Sequence, residues 1–158
     1  MQGISGIGHV AIKVRDIERT LRFYRDALGF SEMLRLFHDD GSLFLIYLRI
    51  TDTQYLEIFP EAESGRAAGP KANGIHHMCL TVDRLEPVLN RIRANGETVF
   101  IWRDGELQPT DADPINTGLD RNRQAWIEDP DGNRIEFMEM AENSLQAEAI
   151  GRLRAEKT

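Results

Sequence analysis

The stretch "GIHHMCLTV" at residues 74–82 decides the fold, because a related stretch occurs earlier in the chain. "GIGHVAIKV" at residues 6–14 aligns with it without a gap. In both stretches apolar residues alternate with polar or small ones, which is the period of a half-buried β-strand. Because internal similarity at this level marks a repeated structural unit, we predict two copies of one motif.

Each stretch is followed by the pattern of an amphipathic helix. Asp16 and Asp83 stand at the predicted N-caps, and Glu86 follows Asp83 at the spacing of a capping box. Gly29 and Gly96 mark the predicted helix ends. The distance from aspartate to glycine is the same in both copies (29 − 16 = 13 and 96 − 83 = 13), so the helix belongs to the repeat.

Three strand-like segments follow each predicted helix. They lie at residues 31–38, 42–50 and 54–59 in the first half and at 97–103, 123–129 and 134–140 in the second. The predicted fold class is therefore α+β, with two tandem βαβββ units at residues 6–60 and 74–140. We assign both units to a single domain, residues 1–140, and residues 141–158 to a C-terminal helical tail.

Two segments have no counterpart in the first unit. Residues 103–123, "RDGELQPTDADPINTGLDRNR", are predicted to form a long irregular loop. Such a loop is either a functional lid or a tolerated surface insertion, and both interpretations stay open. In the tail, Leu145, Ala149 and Leu153 share one helix side, which we expect to pack against the domain or a partner chain.

The composition excludes some classes of function. The 158 residues carry a formal net charge of −7 and a pI of about 5.1, whereas nucleic-acid-binding surfaces are basic. The single cysteine, Cys79, fits a reducing compartment. No stretch has the pattern of a signal peptide, and no apolar run approaches the roughly 20 residues that span a bilayer. We therefore expect a cytoplasmic protein that binds neither nucleic acid nor membrane.

Histidine and glutamate recur at equivalent places in the two repeats. His9 aligns with His77, and the alternation predicts that His76 faces the helix instead. Glu57 in "QYLEIF" and Glu136 in "NRIEFM" occupy matching strands. Two imidazoles and two carboxylates on one face suit a divalent ion of Ni, Zn, Co, Mn or Fe. Each residue could instead be an ordinary core or surface group, but packing alone gives no reason to repeat an acid and an imidazole.

These residues carry a family resemblance. The motifs "GHVAIKV", "FYRDALGF", "YLEIF", "HHMCLTVD" and "DPDGNRIEFME", spread over residues 6–140, resemble the vicinal oxygen chelate superfamily. That superfamily includes glyoxalase I, methylmalonyl-CoA epimerase, extradiol dioxygenases and bleomycin-resistance proteins. The resemblance implies a curled mixed sheet in which the two units form a U-shaped cleft around one metal ion. Its ligands, carried over by position, are His9, Glu57, His77 and Glu136.

The four-ligand set is similar to that of glyoxalase I, which implies a metal-dependent lyase or isomerase. In such enzymes a proton is removed next to a carbonyl and the metal stabilises the enediolate. The resemblance implies Glu136 as the base, with Glu57 as the second candidate. The alternatives are an epimerase or an extradiol ring-cleavage dioxygenase on the same scaffold, and a metal-free small-molecule-binding protein of the antibiotic-resistance type.

The substrate is expected to be a small molecule with two adjacent oxygens. Its predicted contacts are Lys13, Tyr55, Phe59, Trp126 and Met138, and Cys79 is expected to be a small filler beside them. Lys13 and Glu61 stand where glyoxalase I enzymes carry an Arg and an Asn that contact glutathione. Because Glu61 would repel the carboxylates of glutathione, the resemblance implies the chemistry without implying glutathione as substrate. A homodimer is expected, since twofold pairing is the commonest oligomeric state.

Overall fold

The first repeat forms a four-stranded mixed sheet and one helix. The computed structural model describes residues 3–63 and 65–156. The elements of the first repeat are β1 (His9–Lys13), α1 (Ile17–Arg22), β2 (Ser31–Phe37), β3 (Leu43–Arg49) and β4 (Tyr55–Phe59). The strand order is β1-β4-β3-β2, with β1 parallel to β4 and the other pairs antiparallel.

The helical segment that starts with α1 begins at Asp16 and ends at Gly29, as its sequence predicts. The Asp16 carboxylate accepts a hydrogen bond from the backbone N–H of Arg19 at 3.0 Å, which confirms Asp16 as the N-cap. After Arg22 the chain continues as one π-helical stretch, Phe23–Ala27. Gly29 then takes a φ of 79°, the left-handed conformation that a glycine adopts at a helix end.

The core of the first repeat lies on one face of its sheet. Leu21 and Tyr24 of the helical segment are fully buried, as are Ile46, Leu56 and Ile58 of the central strands. Because neighbouring residues of a strand point to opposite faces, Glu57 lies on the other face of β4. The predicted separation between an apolar face and a face that carries the acid is thus confirmed.

The second repeat has the same topology with additions. Its elements are β5 (Met78–Thr81), α2 (Leu85–Ala94), β6 (Val99–Arg103), β7 (Glu106–Pro109), β8 (Asn116–Thr117), β9 (Arg123–Glu128) and β10 (Arg134–Glu139), followed by α3 (Leu145–Ala155). The strand order is β5-β10-β9-β6-β7, and β8 pairs with β9. The part β5-β10-β9-β6 matches β1-β4-β3-β2 strand for strand, so the predicted repeat and the α+β fold class are confirmed.

The segment at residues 103–123 is more ordered than the sequence predicts. Strand β7 extends the sheet as an antiparallel neighbour of β6, and β8 adds two residues beside β9. The prediction of a wholly irregular loop is therefore wrong. Backbone pairing with β6 accounts for β7, because "ELQP" has no apolar alternation of its own that would mark a strand.

The start of α2 differs from the prediction. Arg84 is the N-cap residue and makes no side-chain capping bond, so the proposed cap by Asp83 with Glu86 is wrong. Instead the Glu139 carboxylate, from β10, accepts the backbone N–H of Leu85 at 2.9 Å. Glu86 forms an ion pair with Arg123. A carboxylate from a distant strand thus satisfies the helix N-terminus.

The C-terminal helix forms as predicted, but its apolar residues stay exposed. Ser144 caps α3 by accepting the N–H of Ala147 at 3.1 Å. Leu145 and Leu153 are 46% and 53% exposed, so they do not pack against the described part of the chain. Packing of this side against a partner chain remains a prediction.

The chain separates into two compact units, Met1–Ala67 and Ala68–Thr158, which correspond to the two repeats. The assignment of both to one domain, residues 1–140, stays a prediction. Among the described residues, no helix is long and apolar enough to cross a membrane.

Candidate metal centre

The first unit pairs a histidine with a buried glutamate. In the register of β1 and β4, Glu57 lies opposite Ala11, and His9 precedes Ala11 by two residues on the same face. The His9 Nε2 atom is 3.5 Å from Glu57 Oε2. Glu57 is only 7% exposed, whereas the His9 ring is half exposed. The pair therefore offers an imidazole nitrogen that is open to a ligand and a carboxylate held beneath it.

The second unit repeats this arrangement. Glu136 lies opposite Cys79 in the register of β5 and β10, and His77 precedes Cys79 by two residues. His77 Nε2 is 2.9 Å from Glu136 Oε2. The same nitrogen of each histidine thus faces the carboxylate from the neighbouring parallel strand. The sequence repeat has reproduced a chemical pair as well as a fold.

The donor chemistry of each pair fits a divalent metal. Imidazole nitrogen with carboxylate oxygen suits Zn, Ni, Co, Mn and Fe. Within its own described residues, neither unit brings three or more His, Cys, Asp or Glu side chains together. Each unit therefore supplies a half-set of two donors. A four-ligand site made from both half-sets stays a prediction.

Burial shifts the pKa values of both residues of the second pair. It lowers the pKa of His77, and the positive charge of Arg134 lowers it further. Burial also raises the pKa of Glu136, and the nearby Asp120 carboxylate adds to that effect. A neutral imidazole is the form of histidine that binds a metal, so His77 is held ready for coordination.

Cys79 lies between these groups without being a nucleophile. Desolvation, followed by the neighbouring Glu136 carboxylate, raises the pKa of its thiol to about 12. At neutral pH the thiol therefore stays protonated, and only the thiolate is an effective nucleophile or ligand. This agrees with the expectation that Cys79 is not a nucleophile, whereas its role as a small filler stays a prediction, since the residue is exposed.

Tyr47 is a site residue that the sequence analysis missed. It lies opposite Glu57 in the register of β3 and β4. Its hydroxyl donates a hydrogen bond to the Glu57 carboxylate, and this bond raises the pKa of the phenol. Tyr47 could have been found from the cross-strand register. Pairing "LFLIYLR" with "YLEIF" as antiparallel neighbours places it opposite Glu57. Tyr47 holds the carboxylate of Glu57 in place.

The predicted substrate contacts lie on the same faces as the His–Glu pairs. Some of these side chains already bond or pack within the protein, and others do not. In the first unit, the Tyr55 hydroxyl is used within its own turn, where it donates to Asp52 O at 2.8 Å. The Phe59 ring packs edge-on against Phe44, with ring centres 5.4 Å apart. Lys13 is exposed at the end of β1, opposite Phe59.

In the second unit, the predicted contacts are buried beside the acid. The Trp126 ring centre is 4.9 Å from that of His77, and its indole N–H has no acceptor among the described residues. The Met138 sulfur accepts a hydrogen bond from Asn122. Trp126 therefore brings a free donor close to a candidate ligand. Substrate contact by these residues remains a prediction.

The placement of His76 was predicted wrongly. Strand β5 begins only at Met78, so the alternation that put His76 on the helix side does not extend to it. His76 Nδ1 lies 2.8 Å from His77 Nδ1, and the His76 ring centre is 5.4 Å from that of Trp102. Both histidines therefore lie in one cluster of aromatic side chains.

The end of the 103–123 segment is anchored close to Glu136. Asn122 is 1% exposed and accepts the backbone N–H of Ala141 at 3.0 Å. It donates to the Asp120 carboxylate at 2.6 Å and to Gln146 at 3.1 Å. The Asn122 amide also contacts the sulfur of Met138 at 3.3 Å, and Met138 shares a face of β10 with Glu136, so this segment reaches the face that carries the acid. Sequence reasoning missed Asp120 and Asn122 because both sit in a stretch with no periodic pattern.

Comparison with known proteins identifies the family. Residues 6–137 match the model of the Glyoxalase/Bleomycin resistance protein/Dioxygenase superfamily. The mitochondrial methylmalonyl-CoA epimerase of Homo sapiens is 28% identical over 130 residues, 73% of this chain and 73% of that protein. A lactoylglutathione lyase of Neisseria meningitidis serogroup B is 27% identical over 134 residues, 83% of this chain and 88% of that protein.

Solved structures share the fold. The glyoxalase family protein from Enterococcus faecalis has a TM-score of 0.67 at 23% identity and covers 85% of this chain and 97% of that chain. The lactoylglutathione lyase from Agrobacterium tumefaciens has a TM-score of 0.59 at 23% identity and covers 87% of this chain and 97% of that chain. The family resemblance inferred from the sequence motifs is confirmed.

Proposed function

The chain belongs to the Glyoxalase/Bleomycin resistance protein/Dioxygenase superfamily, and we propose that it is a metal-dependent lyase or isomerase. It would remove a proton from a carbon next to a carbonyl. One observation carries the proposal: in both units a histidine at or just before a strand pairs with a glutamate on the neighbouring parallel strand, at 3.5 Å for His9 and Glu57 and at 2.9 Å for His77 and Glu136. Packing requires neither residue type, whereas a metal site with mixed nitrogen and oxygen donors uses both.

The four residues are proposed to hold one divalent ion of Ni, Zn, Co, Mn or Fe. When bound, such an ion polarises two adjacent oxygens of a substrate and makes the neighbouring C–H more acidic. Tyr47 fixes the carboxylate of Glu57, and His77 is kept neutral by its surroundings. The chain thereby supplies oriented donors, which is what a catalytic metal site needs from a protein.

Glu136 is the proposed base, with Glu57 as the second candidate. A base works best when its pKa approaches the working pH, and burial raises the pKa of Glu136. Glu57 is held by the Tyr47 hydroxyl, which favours a fixed ligand over a group that exchanges protons. Glu136 would take the proton from the substrate and return it to the same or the adjacent carbon.

The substrate is proposed to be a small molecule with two adjacent oxygens. The predicted contacts are Lys13, Tyr55, Phe59, Trp126 and Met138. Among them the indole N–H of Trp126 is the buried donor whose acceptor is absent from the described residues, so we assign it to a substrate oxygen. A bound oxygen acceptor would remove the cost of that unpaired donor.

An epimerase is the second candidate. The relatives include methylmalonyl-CoA epimerases as well as lactoylglutathione lyases, at nearly equal identity of 28% and 27%. Both reactions begin with removal of a proton next to a carbonyl and differ in where the proton returns. The same base and the same metal donors therefore serve either one.

The decisive experiment supplies metal-loaded protein with two substrates in D₂O. Methylglyoxal–glutathione hemithioacetal tests the lyase, and methylmalonyl-CoA tests the epimerase through deuterium exchange at its acidic carbon. Turnover of one substrate, abolished in Glu136→Gln, is the expected result. A Glu142→Gln variant, altered at an exposed glutamate six residues away, is the matched control. Full activity in Glu136→Gln would refute the choice of base.

Binding of a small molecule without any metal would instead identify a sequestering protein. We expect protein purified from cells to contain one divalent ion per chain. Failure to bind any divalent ion on titration would contradict the enzyme proposal in both of its forms.

A homodimer is proposed as the working state. The edge strand β2 exposes Met33, Leu34, Leu36 and Phe37, each by more than 40%. An exposed apolar edge strand is a surface that proteins cover by pairing. Light scattering is expected to give twice the mass of 18.0 kDa, and a monomer at all concentrations would contradict the proposal. The cytoplasmic location stays a prediction.

A further inference from the structure

We infer that His76 is a positioning residue for His77, holding its ring so that Nε2 faces Glu136 and the proposed metal. The inference rests on the proposed function, because it takes His77 as a metal ligand. It concerns a residue that the repeat itself does not mark, since the position equivalent to His76 in the first unit is Gly8.

Both ring nitrogens of His77 are engaged. Nδ1 lies 2.8 Å from His76 Nδ1, and Nε2 lies 2.9 Å from Glu136 Oε2. An imidazole that is hydrogen-bonded at both nitrogens cannot turn over without breaking both bonds. In metal sites, the nitrogen that does not bind the metal is held in the same way by a second residue.

A histidine at position 76 can hydrogen-bond to His77 both when the site is metal-free and when it holds a metal. Without a metal, the Glu136 carboxylate can only accept, so His77 carries its proton on Nε2 and His76 donates to His77 Nδ1. If Nε2 instead held a metal, the His77 proton would sit on Nδ1 and His76 would accept it. A neutral imidazole can do either, because its proton can sit on either nitrogen.

The backbone and ring of His76 are themselves fixed, although no strand contains the residue. Its carbonyl accepts a hydrogen bond from Arg134 Nε at 2.8 Å, and Arg134 Nη1 also binds the carbonyl of Ala68 at 2.9 Å. The His76 ring lies beside Trp102, whose own ring centre is 5.4 Å from that of Trp126. The contact with His77 is therefore made by an anchored side chain.

Two substitutions separate the hydrogen bond from the packing. His76→Phe keeps a ring beside Trp102 but has no group that can bond to His77 Nδ1. His76→Asn restores a donor and an acceptor at nearly the same distance from the backbone as Nδ1. His38→Phe is the matched control, because His38 is exposed and also lies beside an aromatic ring, Phe44, at 4.9 Å.

The first readout is the affinity for Zn²⁺, measured by competition with a chromophoric chelator. We expect His76→Phe to weaken binding by about 10- to 100-fold, the usual effect of removing an outer partner of a metal-bound histidine. His76→Asn should recover most of the affinity, and His38→Phe should leave it unchanged. Unchanged affinity in His76→Phe would overturn the inference. A loss as complete as that in His77→Asn would also overturn it, because His76 would then be a ligand.

The second readout needs neither metal nor activity. In ¹⁵N NMR of the metal-free protein, we expect His77 Nδ1 to show the chemical shift of a nitrogen that accepts a hydrogen bond in the wild type, and to move toward that of an unbonded nitrogen in His76→Phe. The same His77 Nδ1 chemical shift in both proteins would overturn the inference even if the enzyme is active. Conversely, an inactive wild-type protein that shows both expected effects would remove the proposed function and leave the positioning role of His76 standing.

Discussion

Replacing Asn122 by alanine should destabilise the protein strongly, because this side chain joins three parts of the second unit. It accepts the backbone N–H of Ala141 at 3.0 Å and donates to Asp120 at 2.6 Å and to Gln146 at 3.1 Å. In the alanine variant the N–H of Ala141 loses its acceptor, and an unpaired buried donor costs about 1–3 kcal/mol. The lost bond to the Asp120 carboxylate adds a charge-assisted contribution of about 1.5–3 kcal/mol, reduced where water reaches Asp120.

We therefore expect Asn122→Ala to lower the free energy of unfolding by about 3 kcal/mol. Urea unfolding, followed by circular dichroism, measures this as a shift of the midpoint at constant slope. Gln146→Ala, which removes only one of the bonds, should cost about 1 kcal/mol. Asn143→Ala is the matched control, since its side chain is exposed, and it should change stability by less than about 0.5 kcal/mol. Equal stability of Asn122→Ala and Asn143→Ala would refute the claim that Asn122 joins these segments.

Three further predictions follow from hydrogen bonds and charges in the structure. The pKa of Glu139 is lowered by the N–H of Leu85 and by Arg123. Its carboxylate therefore stabilises the fold at pH values above the ordinary carboxyl pKa of 4.5. This stabilisation is lost as the pH falls below that value. Urea unfolding should show Glu139→Gln to be less stable than wild type at pH 7, by a difference that shrinks as the pH falls below 4.5, and a difference that stays constant with pH would contradict this. Tyr47→Phe should weaken Zn²⁺ binding by about tenfold in a chelator competition, because Glu57 loses its orienting donor, while the exposed and unrelated control His38→Phe should not. Cys79, with a pKa of about 12, should react with a disulfide reagent at pH 8 far more slowly in the native protein than in urea, and equal rates would show that the thiol is not perturbed.

Much of the fold could be predicted because its signals are local. The alternation of "GHVAIKV" and the aspartate at position 16 act within a few residues, and both the strand and the helix cap formed as predicted. The equivalence of His9 and His77 was also visible, because a repeated sequence places the same side chain at the same point of a repeated fold. Strand alternation placed each histidine and glutamate on a common face, whereas their pairing at 3.5 Å and 2.9 Å became visible only in the structure.

Two of the failures share a physical cause, which is contact between elements that are separate in the sequence. Asp83 has the chemistry of a cap, yet Glu139 caps α2 because β10 carries its carboxylate to Leu85. Tyr47 was missed for the same reason, since its partner Glu57 lies on the next strand. His76 was assigned to the wrong side because periodicity does not show that β5 begins at Met78.

The central claim is that the two repeated His–Glu pairs together hold one divalent metal ion. Titration of metal-free protein with Zn²⁺, followed by calorimetry, tests it most directly. We predict one ion per chain for the wild type and a large loss of affinity in both His9→Asn and His77→Asn, one variant from each unit. Retention of full affinity in either variant, or the absence of binding in the wild type, would contradict the claim.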